Sequence, residues 1–385
     1  MTRVFVIVLD SLGVGALPDA GGFGESGCHT LDHIVAAAGR PVIPRLERLG
    51  LGCIEGVTGI PASPSPAGSF GRMAERSPGK DTLTGHWEMM GCPLEHAFPV
   101  FPDGFPAAIL DELVSRAKLP GVLCNEPASG TEVIERLGPE HLSSGKPIVY
   151  TSADSVLQIA AHEERFGLER LYEVSSIARE IVRPHGVARV IARPFVGKPG
   201  AFERTYNRRD YSLEPPRETV LDRLLASGID VTGIGKIEDI FAGRGITRSL
   251  HSEGNRDGMR LLTEAAQETA AGFYFVNLVD FDMLYGHRRD PIGYRRALEE
   301  FDVDLVTFEA TLRPNDLVFL TADHGNDPTH QPGTDHTREY VPVIAYGSDL
   351  PAGVNLGTRT SFADLGATVE QAFGLPAHGP GRSFL

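Results

Sequence analysis

The stretch that decides the fold is Asp316-Leu-Val-Phe-Leu-Thr-Ala-Asp323-His324-Gly325. Its first part is an apolar run of the kind that forms a buried strand, and the run ends abruptly in an acidic residue, a histidine and a glycine. In open α/β sheets, ligands bind beyond the carboxyl ends of the strands. An aspartate and an imidazole at that position are candidate metal ligands, and His336 follows in the same loop region.

Two other apolar runs, distant in the sequence, end in the same way. Residues 4–9 lead into Asp10, and residues 273–279 are followed by Asp282, with His287 shortly after. An aspartate after one strand is ordinary turn chemistry, but three such strand ends with three histidines favour a centre for two metal ions. Carboxylate and imidazole ligands without thiolate suit Mn or Zn, and Mg is also compatible. The candidate ligands are Asp10, Asp282, His287, Asp323, His324 and His336.

The composition argues against several classes of protein. With 385 residues, 41% of them hydrophobic and 23% charged, the chain is globular and larger than a single core usually allows. Its formal net charge of -15 argues against a nucleic-acid or anionic-membrane partner. No apolar run approaches the roughly 20 residues of a membrane span, and no signal peptide is recognisable. Four scattered cysteines suit a reducing compartment, so we expect a cytoplasmic protein.

Strands and helices alternate along most of the chain, which predicts an α/β sandwich with a largely parallel central sheet. Residues 96–212 have a different texture and separate the nucleophile candidate described next from the later metal ligands. We interpret this segment as an inserted, smaller α+β cap domain. Residues 1–95 and 213–385 then form a discontinuous catalytic core that binds the metals.

The candidate nucleophile lies in Gly79-Lys-Asp-Thr82-Leu-Thr84-Gly-His-Trp-Glu88, a polar segment with no clear period. A hydroxyl is a poor nucleophile unless a base or a metal activates it, and a two-metal centre would do so. Thr82 and Thr84 both qualify. The alternative is that Thr82 only caps a helix that begins at Leu83. The two roles are compatible, because a helix N-terminus also stabilises a phosphate.

A basic segment stands out against the acidic background. Between residues 183 and 209 there are seven arginines or lysines and one acidic residue, Glu203, for a local charge of +6. On a strand, Arg189 and Arg193 would point to the same face with a spacing that suits a phosphate. The alternative is a solvated edge strand protected by arginine against aggregation. Lys236 ends another strand beside Gly235 and is either a further phosphate contact or simply exposed.

The chain resembles the phosphopentomutase family of the alkaline phosphatase superfamily. The matching segments run from residue 10 nearly to the C-terminus, and together they are far more specific than Asp-His-Gly alone. They are Asp10-Ser-Leu-Gly-Val-Gly15, residues 79–88, residues 150–159, residues 189–196, Asn277-Leu-Val-Asp-Phe-Asp282, Gly286-His-Arg-Arg-Asp290, residues 321–328 and Gly333-Thr-Asp-His-Thr-Arg-Glu339.

The resemblance implies an alkaline phosphatase-like sandwich and a role for each site residue. Thr82, and not Thr84, would be the phosphorylated nucleophile. One metal would be held by Asp10, Asp323 and His324 with the Thr82 oxygen, and the second by Asp282, His287 and His336. Both metals are expected to be Mn2+. The implied substrate contacts are Ser152, Asp154, Arg189, Arg193, Arg208 and Lys236. An extra residue near Gln331 departs from the family pattern and makes His330 a competitor of His336.

The reaction implied by the family interconverts ribose 1-phosphate, or its 2-deoxy counterpart, and the 5-phosphate. It would proceed through a phosphothreonine enzyme and a 1,5-bisphosphate, primed by a sugar bisphosphate, so the partners are small sugar phosphates. A closing cap would keep water from the phosphothreonine. A phosphomonoesterase with the same two-metal core and a non-catalytic metal-binding protein are the alternatives. The sequence has no Cys-x-Pro-x-Arg segment near a strand end, which argues against a sulfatase. Residues 79–88 and 189–196 fit a cofactor-independent phosphoglycerate mutase poorly.

Overall fold

The strands follow the apolar runs of the sequence. The computed structural model describes residues 2–152, 155–268, 271–347 and 350–385. Its strands, in chain order, are β1 (Arg3–Leu9), β2 (Ser69–Met73), β3 (Leu123–Pro127), β4 (Ile148–Thr151), β5 (Val156–His162), β6 (Arg189–Lys198), β7 (Ala201–Arg204), β8 (Arg209–Ser212), β9 (Val231–Ile234), β10 (Arg248–Leu250), β11 (Gly272–Leu278), β12 (Asp316–Thr321), β13 (Val341–Gly347) and β14 (Asn355–Arg359).

The helices alternate with these strands. In chain order they are α1 (Thr30–Ala38), α2 (Pro44–Leu49), α3 (Thr82–Met89), α4 (Ala107–Arg116), α5 (Gly130–Ser144), α6 (Leu168–Val182), α7 (Val220–Ala226), α8 (Ile237–Ile240), α9 (Asn255–Gln267), α10 (Pro291–Glu309) and α11 (Ala363–Ala372).

Helix α5 is longer than its sequence predicts. The sequence predicts a short helix over residues 131–137, yet the helix continues through Pro139 to Ser144. The reason is a tertiary anchor beyond the proline. The buried His141 ring accepts a hydrogen bond from the backbone N–H of His162 at 2.9 Å, and its Nδ1 lies 2.7 Å from the carbonyl oxygen of Lys146. Such contacts override the local preference against an internal proline.

The chain forms two compact units, and the first contains Met1–His96 and Pro215–Leu385. Its sheet has the order β10-β9-β11-β1-β12-β13-β2-β14. Strands β10, β9, β11, β1 and β12 are mutually parallel, and only β13 runs antiparallel to both of its neighbours. Every residue of β1 is buried, as expected for a central strand covered on both faces. The predicted α/β architecture with a largely parallel sheet is confirmed.

The register of the parallel strands brings the predicted ligands to one edge. Leu9 at the end of β1 pairs with Leu278 at the end of β11. On the other side, Val8 pairs with Thr321 at the end of β12. The segments that follow these three strands therefore begin at the same edge of the sheet.

The second unit spans Ala97–Glu214, where the sequence predicts an insertion over 96–212. It has its own sheet in the order β3-β4-β5-β6-β7, with β8 also paired to β6. One face packs in a cluster with residues of α4 and α6. The other face packs Tyr150 and Phe195 against Val133 and Ile134 of α5. The function of this unit as a cap stays a prediction.

Two further features concern the whole chain. Within the described ranges, no helix is both long and apolar enough to cross a membrane. Cys28, Cys53, Cys92 and Cys124 are all free thiols.

Candidate metal centre and nucleophile

Two buried carboxylates follow adjacent strands and each leaves one oxygen unused. Asp10 accepts a hydrogen bond on Oδ2 from the Asn277 side-chain amide at 2.9 Å. Asp323 accepts one on Oδ1 from the backbone N–H of Ser11 at 3.1 Å. Oδ1 of Asp10 and Oδ2 of Asp323 are buried without a hydrogen-bond partner among the described residues. Because a buried, unpaired carboxylate oxygen is costly, these two atoms are suited to bind a cation.

His324 completes this first group of atoms. Its Nε2 lies 3.4 Å from Asp10 Oδ1 and 3.3 Å from Asp323 Oδ2. The same nitrogen lies 3.3 Å from the Thr82 hydroxyl oxygen. Nδ1 of His324 faces the carbonyl oxygen of Gly325 at 3.1 Å, which places the proton on Nδ1 and the lone pair on Nε2. These neighbouring donor atoms lie 3.3–3.4 Å from His324 Nε2, close enough for one divalent metal ion to bind among them.

Asp282, His287 and His336 form the second group. A π-helical turn over Phe281–Gly286 carries Asp282 and places His287 back over it. Asp282 Oδ2 lies 3.0 Å from His287 Nε2 and 3.6 Å from His336 Nε2. Its other oxygen accepts a hydrogen bond from the Asn326 amide at 2.7 Å. Nδ1 of His287 faces the carbonyl oxygen of Thr334 at 2.6 Å, so Nε2 is again left to bind a metal.

The two groups are neighbours and share a carboxylate. Within Asp282, His287 and His336 the ligand atoms all lie within 4.8 Å of one another, and the same holds for Asp10, Asp282 and His324. The rings of His324 and His336 stack with centroids 3.9 Å apart, which links the groups directly. The structure therefore brings all six predicted ligands together, with Asp282 within reach of both metal positions. By contrast, His330 contacts Cys28 Sγ at 3.4 Å and belongs to neither group.

The buried carboxylates of the site favour positive charge in their surroundings. Burial, reinforced by the neighbouring Asp323 and Asp282, raises the pKa of Asp10 to about 7. Burial opposes the ionisation of Asp323 as well, but His324 and His86 hold the pKa of Asp323 well below its ordinary value. The pKa of His287 is lowered by burial but raised further by Asp282, to about 9. This set of buried carboxylates and imidazoles therefore fits bound divalent cations.

The side chain of Thr82 is free of any capping role. Helix α3 begins at Thr82, and its N-cap is Asp81, which accepts hydrogen bonds from the backbone N–H groups of Leu83 and Thr84 at 3.0 and 3.2 Å. The alternative that Thr82 caps a helix beginning at Leu83 is therefore wrong. Thr84 is fully buried, and its hydroxyl donates to Asp81. Of the two hydroxyls, Thr82 is the one beside the candidate metal ligands.

Three charged side chains that sequence reasoning did not single out fix the segment before Thr82. Lys80 Nζ lies 2.6 Å from the carbonyl oxygen of His336 and also contacts Glu25 and Asp335, at 2.5 and 3.2 Å. The buried Arg338 contacts Glu75 at 2.7 Å. The buried carboxylate of Glu88 accepts hydrogen bonds from the Arg76–Ser77 and Ser361–Phe362 segments. Since all three protons of Lys80 have acceptors, we interpret Lys80 as a support and not as a phosphate contact.

Comparisons with known proteins show which family the chain belongs to. The family model described as the Metalloenzyme superfamily matches residues 2–377. A phosphopentomutase of Symbiobacterium thermophilum is 56% identical over 384 residues, which cover 99% of this chain and 97% of the relative. A phosphopentomutase of Anaeromyxobacter sp. strain Fw109-5 is 54% identical and covers 100% of this chain and 98% of the relative. The chain belongs to the phosphopentomutase family.

Family membership confirms the resemblance seen in the sequence and makes the chain a metal-dependent phosphomutase. A phosphopentomutase of Alkaliphilus oremlandii, 50% identical over 385 residues, extends the match to a third genus. Among solved structures, PH0037 protein from Pyrococcus horikoshii aligns over 99% of both chains with a TM-score of 0.53 and 12% identity. At that identity the likeness concerns the fold alone.

The side chains predicted to contact the substrate differ in their surroundings. Lys236 follows β9 and is exposed. Its positive charge favours the ionised form of Asp10 and so partly opposes the rise in the pKa of that carboxyl group. Arg189 and Arg193 both lie on β6 and share one face of that strand. Nε of Arg193 donates a hydrogen bond to the side chain of Gln158 at 3.1 Å. Arg208 forms two hydrogen bonds of 2.6 Å with Asp210. Ser152 is half-buried after β4, and Asp154 lies outside the described residues.

In the second unit, Tyr150, Arg204 and the N-terminus of α5 lie close together, and we call this arrangement, which the sequence does not reveal, the anion cradle. The hydroxyl of Tyr150 is buried without a hydrogen-bond partner in the described part of the chain. A Cβ added at Gly130, the first residue of α5, would lie 2.7 Å from that hydroxyl and 3.4 Å from Nη1 of Arg204. The N-cap of α5, Ser129, makes no side-chain capping bond. Thr131 and Arg204 also line a cavity of about 440 Å³. A helix N-terminus, a hydroxyl and a guanidinium together suit a phosphate.

Proposed function

We propose that this protein interconverts ribose 1-phosphate, or 2-deoxyribose 1-phosphate, and the corresponding 5-phosphate through a phosphothreonine at Thr82 and a 1,5-bisphosphate intermediate. The observation that carries the proposal is the position of the Thr82 hydroxyl, 3.3 Å from His324 Nε2 and beside two unused carboxylate oxygens. A sugar bisphosphate primes the cycle by phosphorylating Thr82. We place the reaction in the cytoplasm and the fold in the alkaline phosphatase superfamily.

The chain's own residues supply two divalent metal positions, which we assign to Mn2+. Asp10, Asp323, His324 and the Thr82 oxygen would hold one ion, and Asp282, His287 and His336 the other. When bound, two such ions stabilise the attacking and leaving oxygens of an in-line phosphoryl transfer. Asn277 and Asn326 each donate to one carboxylate, Asp10 or Asp282, and so orient its second oxygen toward the metals.

The phosphate on Thr82 depends on these metals more than on helix α3. The sequence suggests that the N-terminus of the helix holds the phosphate, but the backbone N–H groups of Leu83 and Thr84 are already bonded to Asp81. Those two donors cannot also bind a phosphoryl oxygen. Charge neutralisation would therefore fall mainly to the ions held by the six metal ligands, which suits the loose transition state of phosphoryl transfer.

The phosphate that is not transferred requires a second binding site, which we assign to the second unit. The contacts proposed from the sequence are Ser152, Asp154, Arg189, Arg193 and Arg208, together with Lys236 of the first unit. The cradle of Tyr150, Arg204 and the α5 N-terminus supports an anion-binding role for this unit. We further propose that the second unit acts as a cap that excludes water, because water would hydrolyse the phosphothreonine.

A coupled assay tests this function. The protein is incubated with Mn2+, a sugar bisphosphate and ribose 1-phosphate, and ribose 5-phosphate and free phosphate are measured in the same tube. We expect isomer formation without phosphate release, its loss in Thr82→Ala, and its retention in Thr84→Ala. Stoichiometric phosphate release without ribose 5-phosphate would instead identify a phosphomonoesterase and refute the role of the second unit as a water shield.

A further inference from the structure

His86 lies between the proposed nucleophile and a candidate metal ligand. Its side chain is fully buried one helical turn after Thr82. Nδ1 lies 2.9 Å from the carbonyl oxygen of Thr82 and 3.3 Å from Oδ2 of Asp323. That carboxylate oxygen is the one with no hydrogen bond of its own, and it lies 3.3 Å from His324 Nε2. One imidazole nitrogen therefore contacts both the backbone that carries the nucleophile and an oxygen that faces the metal.

The residue before His86 brings the same two segments into direct contact. A Cβ added at Gly85 would lie 2.1 Å from the carbonyl oxygen of Asp323, closer than any side chain can approach. Glycine at position 85 therefore allows the first turn of α3 to rest on the backbone of Asp323. Gly85 sets the distance between the two segments, and His86 adds a directional contact at the same place.

The contacts of His86 also determine which nitrogen carries its proton. Both acceptors face Nδ1, whereas Nε2 is buried and has no hydrogen-bond partner within the described ranges. An N–H group buried without an acceptor costs more than a bare lone pair, so we assign the proton to Nδ1. The ring of Phe275 lies beside the imidazole, with centroids 5.7 Å apart, and contributes to its fixed orientation.

We propose that His86 is a positioning residue whose Nδ1–H group, placed against the Thr82 carbonyl oxygen and the Asp323 carboxylate, holds the nucleophile in register with the first metal ion. This inference rests on the proposed function, in which Asp323 binds that metal and Thr82 is phosphorylated. His86 itself touches neither substrate nor metal. It acts through Thr82 and Asp323, as the residues behind metal ligands commonly do.

Two substitutions of His86 separate positioning from packing. Asparagine places its amide nitrogen near the position of Nδ1, whereas glutamine places it near Nε2. We expect His86→Asn to keep Mn2+ affinity within about threefold of wild type, and His86→Gln to lose roughly 10- to 100-fold, as for other residues behind metal ligands. Mn2+ binding is measured by titration calorimetry, and the fraction of Thr82 phosphorylated by a sugar bisphosphate is measured by peptide mass spectrometry.

The opposite order would overturn the proposal. If His86 only filled space, the larger glutamine would be tolerated at least as well as asparagine, and both readouts would follow thermal stability. His141→Asn is the control, because His141, like His86, is a buried histidine, but it lies in the second unit and is hydrogen-bonded through both of its ring nitrogens. We expect that variant to lower the melting temperature without changing Mn2+ affinity.

The outcomes distinguish this inference from the proposed function. If His86→Asn binds Mn2+ more tightly than His86→Gln but the wild-type protein forms no pentose isomer, the positioning role of His86 stands and the proposed function fails. Should wild type act as a mutase while both variants bind Mn2+ equally well, only the inference fails. If neither variant folds, nitrogen-15 spectra of the wild-type histidines decide, since an Nε2–H tautomer at His86 would contradict the assignment.

Discussion

The buried carboxylate of Glu88 provides the sharpest test of how the nucleophile segment is held. Oε2 accepts from the Ser77 backbone N–H and hydroxyl, both at 2.6 Å. Oε1 accepts from the Arg76 N–H at 2.8 Å, the Ser361 hydroxyl at 2.8 Å and the Phe362 N–H at 3.0 Å. Glu88→Gln preserves the shape of the side chain but replaces one of these oxygens with an NH2 group.

The expected loss of stability depends on which donors can rotate away from the new NH2 group. The two serine hydroxyls can rotate and become acceptors, but the backbone N–H groups cannot. Each oxygen of Glu88 accepts at least one backbone N–H, so either orientation of the glutamine amide leaves a buried N–H facing another donor. A hydrogen bond to a charged group contributes about 1.5–3 kcal/mol, and an orphaned buried donor costs about 1–3 kcal/mol. We therefore expect Glu88→Gln to destabilise the protein by about 3–5 kcal/mol.

That loss is large beside the roughly 5–15 kcal/mol by which a native protein is usually stable. The assay is urea unfolding of metal-free protein, followed by fluorescence of Trp87, which neighbours Glu88 on α3. Glu268→Gln is the control, because Glu268 pairs with Arg248 on the surface, and its unfolding midpoint should match wild type. A Glu88→Gln variant destabilised by less than about 1 kcal/mol would refute the claim that fixed donors surround this carboxylate.

Three further predictions concern the site. Lys80→Met removes the ammonium group that Glu25, Asp335 and the carbonyl oxygen of His336 share. Phosphorylation of Thr82, followed in samples quenched at successive times, should therefore slow at least about tenfold. An unchanged rate would contradict the role of Lys80 as a support. The pKa values of Asp10 and His287 are raised in the metal-free fold, so their stabilising contribution is fully present at low pH and is lost as pH rises through about 7 and about 9. The melting temperature of metal-free protein should therefore fall between about pH 6 and pH 9, and added Mn2+ should remove much of that fall. Arg204→Met should raise KM for the pentose phosphate with little change in Mn2+ affinity, and an unchanged KM would argue against the anion cradle.

The strand ends were predictable from the sequence because their signal is local. An apolar run that stops at an aspartate is visible at residues 4–10, 273–282 and 316–323, and the structure brings all three to one edge of the sheet. The largely parallel sheet follows from the alternation of strands and helices, whereas the order and register of β1, β11 and β12 come from the structure. The residues alone leave Thr82 and Thr84 as competing nucleophile candidates, and the family resemblance favours Thr82. The structure adds that the Thr84 hydroxyl is bonded to Asp81.

The supporting contacts were not predictable, because their partners are remote in the sequence. Glu88 is bonded to Phe362, and Lys80 to the carbonyl of His336, and no local pattern announces either pair. Short or exposed strands such as β7 and β14 lack a clear apolar alternation, so the sequence gives no strand signal there. The cradle at Tyr150 depends on where α5 begins relative to β4, which is a matter of tertiary packing.

The most direct test of the central claim is a mass-spectrometric search for phosphothreonine. The Mn2+-loaded protein is incubated with a sugar bisphosphate, quenched in acid and digested, and the peptide containing residues 79–88 is sequenced. We expect one phosphoryl group on Thr82, and if that group is isotopically labelled, its label should pass into the pentose phosphates once ribose 5-phosphate is added before the quench. Phosphorylation at Thr84, or full mutase activity with no phosphorylated residue in this peptide, would contradict this expectation.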